Sequence, residues 1–144
     1  MFRRPVRSQF AALCYRDKRN GEGIEVLLVT SRDTGRWVIP KGWPMGDRPG
    51  YAVAKQEAFE EAGIEGEVER EPLGSFSYDK AMAEGLKLPC RVQVHALKVT
   101  ALRSEYKEKD TRRLAWMGCR EAASRVNEPE LKAMILNFEK RFIS

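Results

Sequence analysis

The chain begins with two apolar, partly β-branched runs, "QFAALCYR" and "IEVLLVTS", separated by "DKRNGEG". Runs of this length and composition predict strands, and the polar, glycine-containing segment between them predicts a hairpin turn. "DTG" then turns the chain into a short third strand, "RWVIP". A glycine- and proline-rich loop follows, "KGWPMGDRPG". From Gly50 or Tyr51 to Ala62 the pattern is helical, and Gly63 supplies the stop. "GEVERE" and "LGSFSY" read as strands, "KAMAEGLKLP" as a loop and "CRVQVHALKV" as a long strand. "EYKEKDTRR" is a polar loop before a short strand, "LAWMG", and a small helix near Glu121–Val126. The last helix starts near Pro129, a favourable first-turn residue. Leu131, Ile135, Phe138 and Phe142 recur on one face as core, and Lys140 and Arg141 suit the negative end of the helix dipole. The pattern as a whole predicts an α/β fold: one mixed sheet flanked by helices, an α/β/α sandwich in a single domain over residues 1–144. Residues 1–7 read as a basic tail in front of it.

The helix over residues 50–62 contains an anomaly. At about 100° per residue, Glu57, Glu60 and Glu61 fall on one face. The positions three and four residues away hold Val53, Ala54, Gln56, Ala58, Gly63, Ile64, Glu65 and the glutamates themselves, none of them a cation. Glu60 and Glu61 also sit in the last turn, where the dipole is negative and a carboxylate costs about 0.3–1 kcal/mol. A helix selected for stability would carry lysine there. Oxygen ligands held close together without local counter-ions are what a hard dication such as Mg²⁺ requires. An exposed acidic face with remote partners is the competing reading.

Charge distribution sharpens this. The chain carries a net +5, yet residues 42–64 hold two basic residues against four acidic ones. An acidic island on a basic protein fits a metal cation on the island and an anionic ligand around it. A basic surface that only aids solubility fits equally well on charge alone. Cys14, Cys90 and Cys119 are far apart and odd in number, so they read as reduced thiols packing as small hydrophobes. His95 is the one histidine, which excludes multi-histidine metal sites, and its strand-like surroundings make it structural. No apolar run reaches the roughly 18 residues of a membrane span. The basic start lacks a signal-peptide core. These features predict a cytoplasmic protein with no membrane partner. A nucleic-acid partner would rest on net charge alone, because no aromatic–basic motif accompanies it. The pattern leaves oligomeric state open.

The segment "GWPMGDRPGYAVAKQEAFEEAGI" resembles the Nudix box, G-x5-E-x7-R-E-U-x-E-E-x-G-U with U aliphatic. Gly42, Glu57, Ala58, Glu60, Glu61, Gly63 and Ile64 match at the required spacing. Arg48 stands where the box has glutamate and Gln56 where it has arginine. If those two consensus residues compensate each other, losing both leaves no unpaired partner. "VLLVTSRDTGRWVIPKGWP", "EYKEKDTRRLAW" and "NEPELKAMILNFEKR" are further similar to the branch related to diphosphoinositol-polyphosphate phosphohydrolases.

The resemblance implies Mg²⁺- or Mn²⁺-dependent hydrolysis of a phosphoanhydride in a small phosphorylated substrate. That substrate would be a nucleoside diphosphate derivative, a diadenosine polyphosphate, a diphosphoinositol polyphosphate or linear polyphosphate. It implies Glu60 and Glu61 as metal ligands, and Glu57 as a further ligand or the residue that orients or deprotonates water. The backbone carbonyl of Lys41 or Gly42 would add an oxygen. A late-loop acid would complete the set, with Glu108 chosen ahead of Glu105 and Asp110. Arg7, Arg32, Lys41, Lys80 and Arg112 are the cations to clamp phosphates, and Trp43 is placed to stack on a base or cover the cleft. Trp37 is assigned to the core. Without the box arginine at Gln56, the glutamates should be held less rigidly. The alternative is a catalytically weak or inactive module of the same fold that binds a nucleotide or polyphosphate.

Overall fold

The computed structural model describes residues 5–143. Eight strands form one mixed sheet: β1 (Arg7–Asp17), β2 (Ile24–Thr30), β3 (Trp37–Val38), β4 (Lys41–Gly42), β5 (Ile64–Val68), β6 (Gly74–Ala81), β7 (Lys87–Leu102) and β8 (Leu114–Gly118). Three helices complete it: α1 (Gly50–Ala62), α2 (Cys119–Arg125) and α3 (Pro129–Glu139). The central order is β3-β2-β1-β7-β5, with β4 beside β1, β6 beside β7 and β8 beside β2. β1 and β7 run parallel, from Arg7 opposite Cys90 to Tyr15 opposite Lys98. The other pairings are antiparallel.

The apolar runs are continuous because both faces of the sheet are covered. On β1, Ala11, Leu13 and Tyr15 enter one buried cluster with Leu131, Ile135 and Phe138 of α3. Ala12 and Cys14 enter the other, with Ala54, Ala58 and Ala62 of α1. The small alanines let α1 lie close to the sheet. The C-terminal stripe behaves as expected: Phe142, one turn past α3, packs on Tyr15 at 5.3 Å and on Phe138 at 5.2 Å. The three cysteines are free and buried. His95 is buried, with Nδ1 2.9 Å from the Glu69 carbonyl. Among the described residues no helix is long and apolar enough to cross a membrane.

Several boundaries differ from the sequence reading. β6 and β7 form a hairpin that extends to Ala81 opposite Lys87, so half of the expected "KAMAEGLKLP" loop is strand. Cross-strand pairing overrides the weak local propensity there. α2 starts at Cys119, earlier than Glu121, and β5 ends at Val68 rather than continuing through "GEVERE". β4 was unforeseen, because a two-residue strand leaves no periodicity to read. Arg7 belongs to β1 rather than to a tail, and residues 1–4 lie outside the described residues.

Candidate active site

Glu57, Glu60 and Glu61 project from the last turns of α1 into a cleft of about 380 Å³. The helix ends as Gly63 predicts: its φ of 67° is left-handed, and its N–H reaches the carbonyls of Ala58 and Phe59. β4 forms the opposite wall. Gly42 leaves room for the Glu57 carboxyl group, which a Cβ in its present position would overlap. The Pro40 carbonyl accepts from the Ala12 N–H at 3.0 Å, towards β1. The Lys41 N–H donates to Glu61 Oε2 at 3.1 Å, the opposite way. Peptide groups alternate sides along a strand, so the Lys41 carbonyl faces α1 and that of Gly42 faces β1.

The loop over residues 103–113 closes the third side. It is fastened to the end of α1 by the Glu108 N–H on the Glu60 carbonyl (2.9 Å) and the Arg103 N–H on the Gly63 carbonyl (2.8 Å). These bonds satisfy terminal carbonyls of the helix and bring Lys107, Glu108 and Arg112 to the carboxylates. The cluster is therefore not bare, which corrects the expectation drawn from the helix alone. Lys107 Nζ lies 3.2 Å from Glu60 Oε1. Arg112 reaches Glu108 Oε1 at 2.9 Å and Glu61 Oε1 at 3.5 Å, and donates to the Thr30 carbonyl at 2.9 Å. Gln56 Nε2 donates to Glu60 Oε2 at 2.9 Å, so Glu60 is gripped at both oxygens and not left loose.

Titration follows from these contacts. Burial raises Glu61 most, and its hydrogen bond with Glu57 raises it further, to about 9. Burial also raises Glu57, helped by the charges of Glu60 and Glu108. Two buried carboxyls sharing a proton are the expected state of such a pair without a cation between them. Burial pushes Glu60 upward, but the hydrogen bonds of Gln56 and Lys107 outweigh it, and the net shift is down. Burial pulls the Lys41 ammonium down, against the Glu61 charge.

The remaining expected residues divide. Lys41, Trp43, Lys80, Arg32, Arg112 and Glu108 line the cleft. Trp43 is exposed at its edge. Lys80 is paired with Asp33 at 3.3 Å, and Arg32 lies 3.7 Å from Glu108. Arg7 is exposed at the start of β1 and does not line the cleft. Glu105 points to Lys109 (2.9 Å), and neither Glu105 nor Asp110 lines the cleft. Trp37 is partly buried against the core. Lys107, Gln9 and Tyr78 escaped the sequence reading. Gln9 is buried, lines the cleft and accepts from the Tyr78 hydroxyl at 2.6 Å. Its polar side chain one pleat before an apolar β1 run was the available signal. Among the described residues no three acidic, histidine or cysteine side chains are arranged as a ready metal shell. The donor chemistry still fits a dication: four carboxyls share one cleft, and burial raises the proton affinity of two of them, Glu57 and Glu61.

Known proteins resemble this chain in sequence and in fold. Nudix hydrolase 12, mitochondrial, of Arabidopsis thaliana is 31% identical over 102 residues, covering 69% of this chain and 50% of that protein. Diphosphoinositol polyphosphate phosphohydrolase 3-beta of Bos taurus is 33% identical over 99 residues, covering 68% and 54%. The chain belongs to the Nudix superfamily. It spans about half the length of these two relatives. No family model matches the chain. Among solved structures, the Ap4A hydrolase of C. elegans superposes with a TM-score of 0.68 at 17% identity, covering 96% of this chain and all of that one. The NUDIX domain of Shewanella oneidensis NrtR, solved with ADP ribose, gives 0.69 at 12% identity, covering 97% and 90%. These two likenesses establish the Nudix fold.

Proposed function

We propose that the chain is a Mg²⁺- or Mn²⁺-dependent hydrolase of phosphoanhydride bonds in a small polyphosphorylated substrate. The observation that carries this reading is the convergence of Glu57, Glu60, Glu61 and Glu108 on one cleft whose rim is cationic. Relatives named diphosphoinositol polyphosphate phosphohydrolases and a structural neighbour named an Ap4A hydrolase support the substrate class.

Glu60, Glu61 and the Lys41 carbonyl are the oxygens that would hold a dication, with Glu108 and Glu57 beside them. Of the two backbone carbonyls, that of Lys41 has the better direction, since Gly42's is turned to β1. Such an ion, when bound, neutralises phosphate oxygens and makes water more acidic. Glu57 is the base: its raised proton affinity brings it closer to the operating pH, and its carboxyl lies in the space that Gly42 leaves open. Glu61 ties α1 to β4 through the Lys41 N–H, so the base and the cleft wall move as one. Arg32, Lys41 and Lys80 present charge to the phosphate chain, which relieves the repulsion that protects a pyrophosphate link from attack. Arg112, locked between Glu61, Glu108 and Thr30, orients acids rather than substrate. Trp43 offers a face at the cleft edge for a base or sugar.

The test is hydrolysis of diadenosine tetraphosphate, an NDP-sugar and a diphosphoinositol polyphosphate with Mg²⁺ or Mn²⁺, monitored by product release. Turnover is expected on at least one, with Glu60→Gln and Glu61→Gln each lowering it by about 10²–10³. Saturable binding without turnover on any substrate would make the chain a ligand-binding module instead.

A further inference from the structure

Several cations stand near the acid cluster, and they are held differently. Arg112 is 11% exposed and anchored by Thr30 as well as by two carboxylates. Lys41 is tied through its own backbone to Glu61. Arg32 shares Glu108 with Arg112. Lys107 alone is the direct cationic partner of one acid, Glu60, and its side chain is 72% exposed. Among the described residues nothing else holds its ammonium group. An exposed lysine–carboxylate pair is weak and easily exchanged.

The loop does not depend on that contact. Glu108 N–H on the Glu60 carbonyl, Arg103 N–H on the Gly63 carbonyl and Arg112 on Thr30 fix residues 103–113 whether or not Lys107 is paired. Gln56 keeps the other Glu60 oxygen in place. Lys107 can therefore leave without dismantling the site, and the cleft it lines is where it would go.

We propose that Lys107 is an exchangeable counter-ion, neutralising Glu60 while no dication is bound and turning to a phosphate oxygen of the substrate once Glu60 takes the metal. This rests on the hydrolase reading and adds a residue that links metal occupancy to anion binding. It carries a signature that a structural role lacks. Loss of the lysine removes a competitor for Glu60, so metal binds more tightly, and removes a phosphate contact, so the anion binds less tightly. A residue that merely braced the loop would weaken both.

The experiment is calorimetric titration of the full chain with Mn²⁺ alone, then with methylenediphosphonate at saturating Mn²⁺. It compares wild type, Lys107→Met and Lys107→Arg, with circular dichroism confirming folding and Lys107→Gln as a second neutral variant. In water a unit charge about 8 Å from a dication, or about 4 Å from a single phosphate charge, corresponds to a change of about fivefold. Lys107→Met and Lys107→Gln are expected to bind Mn²⁺ about fivefold more tightly and the diphosphonate about fivefold more weakly. Lys107→Arg should match wild type in both. Unchanged or weaker Mn²⁺ binding in the neutral variants, or unchanged diphosphonate binding, overturns the proposal while leaving the hydrolase reading intact. A wild-type chain that binds no Mn²⁺ overturns both.

Discussion

At the scale of single residues, Glu61 shows what the site costs the fold. It is a carboxyl buried in the last turn of a helix, facing a second carboxyl. Its folded-state proton affinity is raised, so the folded chain holds a proton that the unfolded chain releases near the ordinary carboxylate range. Stability is therefore unaffected below that range and falls as pH rises towards about 9, where Glu61 ionises in the fold. With chelator present, the midpoint of thermal unfolding should drop across that window. Glu61→Gln, which keeps the shape and carries no titrating proton, should flatten the slope. A slope that persists unchanged in that variant would place the titration elsewhere. The three glutamates were legible in the sequence because they share one helix face. Their counter-ions were not: Lys107 and Arg112 lie 47 and 51 positions from Glu60 and Glu61, and helix spacing carries no information about a loop that docks from elsewhere.

At the scale of elements, α1 and its stop signal were readable, since Gly63 adopts the left-handed conformation that a non-glycine residue resists. What the sequence concealed is that Gly63 also makes room for the docking loop. A Cβ there would collide with the Arg103 carbonyl and the Tyr106 ring. Gly63→Ala should therefore destabilise the chain by about 1–3 kcal/mol, from backbone strain and loss of close approach. It should also raise amide exchange across residues 103–113, whose N–H groups at Arg103 and Glu108 depend on α1. Destabilisation with unaltered loop exchange would show that the loop is held by Arg112 alone. β4 and the extended β6–β7 hairpin were missed for a related reason: two residues have no period, and Lys80–Ala81 are strand only because Lys87–Leu88 pair with them.

At the scale of the whole molecule, the parallel β1–β7 pair forms the centre of a sheet buried on both faces. α1 on one face and the strand ends with the 103–113 loop around it leave a charged cleft rather than a flat acidic surface. The continuous apolar runs announced the sheet, and the α1 spacing announced the acids. The cleft itself arises from contacts across the chain, and so do the cations that occupy it. The central claim is that these carboxyls are gathered to hold a dication. Electron paramagnetic resonance titration of the full chain with Mn²⁺ at neutral pH measures this directly. Saturable binding is predicted for the wild type, with a loss of roughly tenfold or more in Glu60→Gln and in Glu61→Gln. Absence of saturable binding to the folded wild type, or binding that both substitutions leave unchanged, would contradict it.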